Sequence, residues 1–383
     1  MRALLVTGLV VGTLCGAAPA LAQESMDTGI DWSVGLRGSY ISNSLSGGRA
    51  ETALTPEAAL VLGGESSQMR LSAGSALVFD ADQQGRVADL HAGAEGSYRL
   101  GVTTLLAGEL RAGLTQGRPD DSDLPANTLY APLVFDGTTR GSVTQNLGKV
   151  DVTATLAGAR HAEGETVLDD HSRLDNADQS FWQGGASLRV GYEVTPRLAA
   201  FVEGGASIKT FDAPDPVLAR YFDARTYQLR AGVSYAQGSV VAAEASVGRA
   251  WLDYLDPALT DRQSWVYDAS LTVRPDETVS LTGGLETSIG PSRDVAGDTD
   301  VRYALTAAAR YKVNPWLTLR GSAGWDRRVT LGTNAASGGY EAGGGLDLQT
   351  ARHVVWSADY LYRREAPPQS DTHTVTVGVK LQN

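Results

Sequence analysis

Cysteine is nearly absent from this sequence: its 383 residues hold one, Cys15. Disulfide bonds are therefore excluded as the source of stability. Long apolar runs are missing beyond the extreme N-terminus, and nothing approaches the ~18 apolar residues of a membrane-spanning helix. Positive charge is in deficit as well. Thirty-two Lys and Arg stand against 44 Asp and Glu, a net charge of −12. A nucleic-acid partner needs a basic footprint and is not expected.

The chain opens "MRALLVTGLVVGTLCGAAPALAQES". A basic start at Arg2, an apolar run to about Gly16 and "ALA" at Ala20–Ala22 read as a secretory signal peptide over residues 1–22. Leu14, next to Cys15, does not suit a lipoprotein signal. Losing Arg2 moves the net charge from −12 to −13 and leaves a mature chain without cysteine. Residues 23–29 read as a short periplasmic segment.

From Ile30 onward an apolar residue recurs at every second position. "YQLRAGVSYAQGSVVAAEASVGRAW" shows the pattern: Tyr227, Leu229, Ala231, Val233 and Tyr235 share one phase. After "AQGS" the alternation resumes with Val241, Ala243, Ala245 and Val247. Counting such runs over residues 30–383 gives about eighteen strands, with sixteen as the alternative, the weakest around Val143. Connections after even-numbered strands are short ("GGESSQ", "EVTPR", "KVNPW"). Those after odd-numbered strands are longer and polar ("TFDAPDPVLARYFDAR", "DRRVTLGTNAASGG"). Short periplasmic turns alternating with long extracellular loops imply an all-β fold, a transmembrane antiparallel up-and-down barrel in a bacterial outer membrane. The Tyr227/Leu229/Val233 phase then meets lipid, and the Arg230/Ser234/Glu244 phase meets a watery lumen. An arginine at mid-bilayer costs roughly 2–4 kcal/mol, which supports the assignment. Arg249 breaks it, and its place near the loop end of its strand would let it snorkel to headgroups. Aromatics at both strand ends, among them Tyr98, Tyr192 and Trp316, then Trp251, Trp265 and Trp325, suit two interfacial girdles.

"YKVNPWLTLRGSAGWDRR" (Tyr311–Arg328) resembles a recurring phrase of the β-barrel porin 2 family of Gram-negative outer-membrane proteins. "NSLSGGRAETALTPEAAL" and "VYDASLTVRPDETVSLTGGLETSIG" are similar to other segments of that family. The resemblance runs from about residue 30 to 383. It implies an outer-membrane barrel with a porin role, sometimes in company with surface polysaccharide, and it carries over no catalytic residues. The C-terminal residue, Asn383, departs from the aromatic end usual in outer-membrane barrels.

By phase, the lumen receives Arg37, Arg70, Glu95, Arg99, Glu109, Arg111, Arg189 and Glu203 as pore-lining candidates. It also receives Arg230, Glu244, Arg302, Arg310, Arg320, Asp347, Asp359 and Arg363. Such charges could filter solutes through a transverse field, with Glu109/Arg111 facing Glu95/Arg99, or could be paired bridges within the wall. The longest external connection by this reading is the third, Gly117–Thr139. In well-known porins that loop folds inward, which would bring Asp120, Asp121 and Asp123 to a constriction. The fourth loop carries Glu163, Glu165, Asp169, Asp170, Asp175 and Asp178 without calcium-loop spacing, and reads as a solvated acidic loop. His91, His161, His171, His353 and His373 show no nucleophile elbow or metal spacing, so neither an enzyme nor a metal or other cofactor is expected.

The expectation is a passive, water-filled pore for small hydrophilic solutes. The alternatives are a component of surface-polysaccharide export, or a non-conducting adhesion barrel acting through acidic loops. Expected partners are outer-membrane lipid and lipopolysaccharide, the barrel-assembly machinery and the solutes themselves. A homotrimer is the assembly that suits a porin.

Overall fold

In a computed structural model of the chain, residues 29–44, 47–80, 85–119, 124–292, 298–366 and 369–383 are described. The strands run β1 (Gly29–Asn43), β2 (Gly47–Gly63), β3 (Ser67–Asp80), β4 (Gly85–Leu100) and β5 (Thr104–Gln116). A short β6 (Thr128–Tyr130) precedes β7 (Leu133–Leu147) and β8 (Val150–Glu163). Two further short pieces follow, β9 (Thr166–Leu168) and β10 (Arg173–Leu174). Next come β11 (Phe181–Thr195), β12 (Leu198–Phe211), β13 (Ala224–Gln237), β14 (Val241–Tyr254), β15 (Arg262–Val273) and β16 (Val279–Pro291). The last are β17 (Thr299–Asn314), β18 (Leu317–Thr330), β19 (Ala336–Ala351), β20 (Val354–Ala366) and β21 (Ser370–Gln382).

Eighteen of these form one antiparallel sheet, each long strand pairing with the next, and β1 pairing with β21 closes it into a barrel. Closure is what a bilayer demands, because an open edge would leave amides unpaired in hydrocarbon. The apolar phase points outward: Leu229, Val247, Leu271 and Leu319 are all well exposed on the bare barrel. Near the seam, Asn383 extends the ladder. Its side-chain oxygen accepts from the Trp32 amide at 2.8 Å, and its side-chain nitrogen donates to the Ile30 carbonyl at 2.5 Å.

The short turns are held by side-chain acceptors that replace missing ladder bonds. Asn314 Oδ1 accepts from the amides of Trp316 and Leu317 at 3.0 and 2.8 Å. Asp276 Oδ1 accepts from the Thr278 amide and hydroxyl and from the Val279 amide, at 2.7, 2.6 and 3.0 Å. These bonds hold the Asp276 carboxyl below the usual aspartate range.

The external connections depart from the sequence reading. "SNSLSGGRAE" is mostly strand, since β1 runs to Asn43 and β2 resumes at Gly47. Likewise β3 runs to Asp80 and β4 begins at Gly85, and β20 runs to Ala366 with β21 from Ser370. Polar residues there continue the ladder above the bilayer, where both faces of a strand meet water. The third connection spans 117–132, because Leu133–Thr139 belongs to β7, and the fourth, 164–180, is slightly longer. Asp120, Asp121 and Asp123 lie outside the described residues, as do residues 1–28 with the expected signal peptide. No helix among the described residues is long and apolar enough to cross a membrane.

Candidate functional site

The inner wall carries charge, and on one side of the barrel the charges are paired. Arg189 on β11 donates both guanidinium arms to Glu244 on β14, at 2.8 Å each, reaching over β12 and β13. Its guanidinium lies 3.6 Å from the centre of the Phe201 ring. Arg230 on β13 donates to Glu203 on β12 at 2.9 Å and to Asp268 on β15 at 2.6 Å. Five strands are cross-linked along the circumference. Glycines let these side chains lie flat. A β-carbon at Gly248, opposite Arg230, would collide with the Leu229 carbonyl and the Arg230 side chain. One at Gly232 would strike Phe201 and the Ala245 carbonyl.

The remaining wall mixes paired and unpaired groups. Arg320 bridges Asp347 and Asp359 at 2.9 Å each, and Arg363 reaches Glu341 at 3.4 Å. Glu57 accepts from Ser33 at 3.0 Å and from Lys380 at 3.3 Å, with Arg37 on the same inner phase. Arg111 and Glu109 meet on one strand. Between β4 and β5, Glu95 sits opposite Glu109 and Arg99 opposite Leu105; opposite signs face each other one strand further out, Glu95 with Arg70 on β3 and Glu109 with Arg140 on β7. Arg310 sits opposite Arg320. Arg70, Arg99, Arg140 and Arg310 make no ion pair among the described residues. Arg302 lies higher on β17, opposite Ser288 and Arg328.

At the outer mouth the barrel wall doubles. The ladder between β15 and β16 stops at Ala269–Leu285. Above it Thr287 stands in for the ladder, accepting from the Tyr267 amide at 3.2 Å and donating to the Tyr267 carbonyl at 2.8 Å. Beyond this point the β16–β17 hairpin turns inward over the inner face of β14 and β15. Residues of its apolar phase, Thr287, Ile289, Thr299 and Val301, thereby cover inward residues of the wall: Ala250, Leu252, Tyr254 and Val266. Val301 is 1% exposed and Leu252 0%. Ile289 packs against the cluster of Phe222, Leu252 and Tyr254. The Tyr254 hydroxyl donates to the Asp298 carbonyl at 2.6 Å and lies 3.1 Å from Thr299 Oγ1, and Arg262 reaches Asp298 at 3.4 Å. The apolar phase at Ile289 and Val301 reads as lipid-facing in the sequence, but it faces protein.

The sequence matches the family described as "Putative beta-barrel porin 2" over residues 36–383. The chain belongs to that family. It is an outer-membrane β-barrel with a porin-like fold. No protein of curated function matches it. Among solved structures it is similar to OccK2 (OpdF) of Pseudomonas aeruginosa in complex with glucuronate, at 12% identity and a TM-score of 0.44. That match covers 92% of this chain and 96% of the other. A BenF-like porin from Pseudomonas fluorescens Pf-5 matches at 11% identity and 0.43, covering 92% and 99%. A loop-deletion form of Vibrio cholerae OmpT matches at 14% identity and 0.34, covering 93% and 99%.

Around the rim of this porin-family barrel, external loops pair with one another. β6 of the third loop pairs with β9 of the fourth, which pairs with β10. Arg118, two residues past β5, donates to Glu51 on β2 at 2.6 Å, so the third loop begins by crossing the inner face of β3 and β4. A bulge between Ala76 and Leu77 shifts the phase of β4 and turns Arg86 inward to the same glutamate. The fourth-loop acids are engaged locally: Glu165 with Arg173, Asp175 with the Ala177 amide, Asp178 with Gln179. Ser172 holds the Asp170 carboxyl below its usual range through its hydroxyl and amide. His161 stacks on Phe181 with Nδ1 2.7 Å from Asp136. His91 contacts Asp89, His353 the Gln382 carbonyl and His373 the Tyr360 hydroxyl, while His171 sits in the left-handed backbone region. Among the described residues no three His, Cys, Asp or Glu side chains group as a metal site.

Several inner-wall groups are missing from the sequence reading: Glu57, Arg140, Phe201, Asp268, Glu286 and Lys380. All lie on the inward phase, and extending that phase through Tyr267–Ala269 and Leu285–Thr287 would have found Asp268 and Glu286.

Proposed function

We propose that the barrel is a passive, water-filled channel for small hydrophilic solutes, narrowed at its outer mouth by the β16–β17 hairpin and weakly anion-preferring. The observation that carries this reading is the split among inner-wall charges. Arg189 and Arg230 are locked into bonded bridges within the wall, whereas Arg99 has no acid opposite it and Arg70, Arg140 and Arg310 have acids near them in the ladder but make no direct ion pair, which leaves their guanidinium groups open to solutes. Eighteen strands enclose a lumen wide enough for water, and charged groups not locked into bridges in a low-dielectric wall bias which ions enter it. Family and fold point to a channel rather than an enzyme. The sixteen pore-lining candidates take their roles from this reading, paired ones as wall braces and unpaired ones as filters. Signal cleavage after Ala22, insertion by the barrel-assembly machinery and a trimeric state belong to the same proposal.

Single-channel recording of refolded protein in planar bilayers under a salt gradient tests it. Discrete conductance steps with a reversal potential of anionic sign are expected. Arg310→Ala combined with Arg70→Ala should move that potential towards cations. Inserted but silent barrels would remove the channel reading, and an unchanged potential would remove the role given to the free arginines.

A further inference from the structure

On the outside of the wall one arginine stands where lipid should be. Arg249 on β14 lies in register between Leu229 on β13 and Trp265 on β15, within the apolar phase. Its guanidinium sits 5.2 Å from the centre of the Trp265 ring. Trp251 follows two residues along the strand with Tyr227 opposite it, and Tyr267 lies on the other side opposite Val247. Arg249 makes no ion pair among the described residues. Asp253, the closest acid along its own phase, is opposite Arg225, a second exposed arginine in the same column. At ~3.4 Å per residue and a tilt of about 40°, Arg249 stands about 21 Å above the periplasmic turn, against an apolar band about 25 Å tall. That is about 4 Å below the outer edge of the band, from which a snorkelling side chain reaches the outer-leaflet headgroups. An arginine there keeps its charge beside the face of Trp265, and a guanidinium pairs with phosphate oxygens through two parallel bonds.

We propose that Arg249, with Arg225 above it and Trp251 and Trp265 beside it, binds a phosphate of lipopolysaccharide in the outer leaflet. The face of Trp265 holds the Arg249 guanidinium in place, and the phosphate supplies a counter-charge that no acid provides to Arg249 among the described residues. Solvation by water alone is the rival, and it predicts no preference for a phosphorylated lipid.

Full-length barrel in detergent micelles is titrated with purified lipopolysaccharide, with the same material after enzymatic dephosphorylation, and with phosphatidylcholine. The readout is the temperature at which the heat-modifiable folded band is lost. Intact lipopolysaccharide should raise this temperature for the wild type, and the dephosphorylated form should not. Arg249→Gln should abolish the rise and Arg249→Lys should retain part of it. Arg364→Gln, at the rim of β20, should leave it unchanged. Equal stabilisation of the wild type by both forms, or a full rise in Arg249→Gln, would overturn the site. The dephosphorylation arm needs no variant, so a variant that fails to fold leaves the test intact.

Discussion

Leu229 and Val301 belong to strands of the same alternating pattern, yet one is 53% exposed on the bare barrel and the other 1%. On β13 the apolar phase meets lipid. On the outer half of β16 and β17 it meets the inner wall of the barrel itself. A two-residue period states that one face of a strand avoids water; it does not state what covers that face. The hairpin uses this ambiguity. Once the ladder between β15 and β16 opens above Leu285, a face suited to hydrocarbon is equally suited to Leu252 and Val266, and burying it forms a small two-layer core inside the mouth.

The largest effect should come from charging the two environments separately. Val301→Arg puts an uncompensated cation into the closed layer at a cost of about 3 kcal/mol or more, which should release the hairpin. Conductance should rise and protease should cut near residue 299, while the heat-modifiable band of the folded barrel persists. Leu305→Arg, two steps of the phase further down β17, should cost up to roughly 2–4 kcal/mol of barrel stability with conductance unchanged. If both variants behave alike, the two faces do not differ.

The inner wall offers a second contrast. Arg230→Ala strips the counter-charge from Glu203 and Asp268 and should lower urea stability by about 1–3 kcal/mol, less than a fully dry pair because the lumen is wet. Arg310→Ala should leave stability within about 0.5 kcal/mol of wild type and act on ion preference instead.

Tyr254→Phe is a finer probe of the mouth. Losing the bond to the Asp298 carbonyl should cost the hairpin about 1 kcal/mol and appear as flickering of the open channel rather than a new conductance level. The smallest effect concerns Asp276 in a periplasmic turn. Its carboxyl titrates below the ordinary aspartate value of 3.8, so its stabilising bonds are complete at neutral pH and are lost only as pH falls below that value. The Thr278 and Val279 amides should therefore keep their hydrogen-exchange protection until then, and Asp276→Ala should remove the pH dependence.

Strand number, closure and the inward or outward sense of most residues were legible because a bilayer forces the period on every strand that crosses it. The loops were less so. Asn43 and Gly47–Thr52 are polar, and polar sequence reads as loop, but above the membrane both faces of a strand are wet and polarity says nothing about pairing. The braces from Arg189 to Glu244 and from Arg230 to Asp268 were half visible. Phase gives the direction of a side chain, while the partner two or three strands away depends on strand stagger and on small residues such as Gly248 between them. The hairpin was not legible at all, since turning it inward changes no residue's phase.

Cysteine labelling on either side of that turn tests the account most directly, with Cys15 as the sequence's one native thiol. Val301→Cys and Leu305→Cys would be compared in membranes, using one maleimide that partitions into lipid and one that stays in water. Leu305→Cys should react with the lipid-borne reagent, and Val301→Cys should be shielded from both. Equal reaction of both positions with the lipid-borne reagent would place the β16–β17 hairpin in the wall and contradict it.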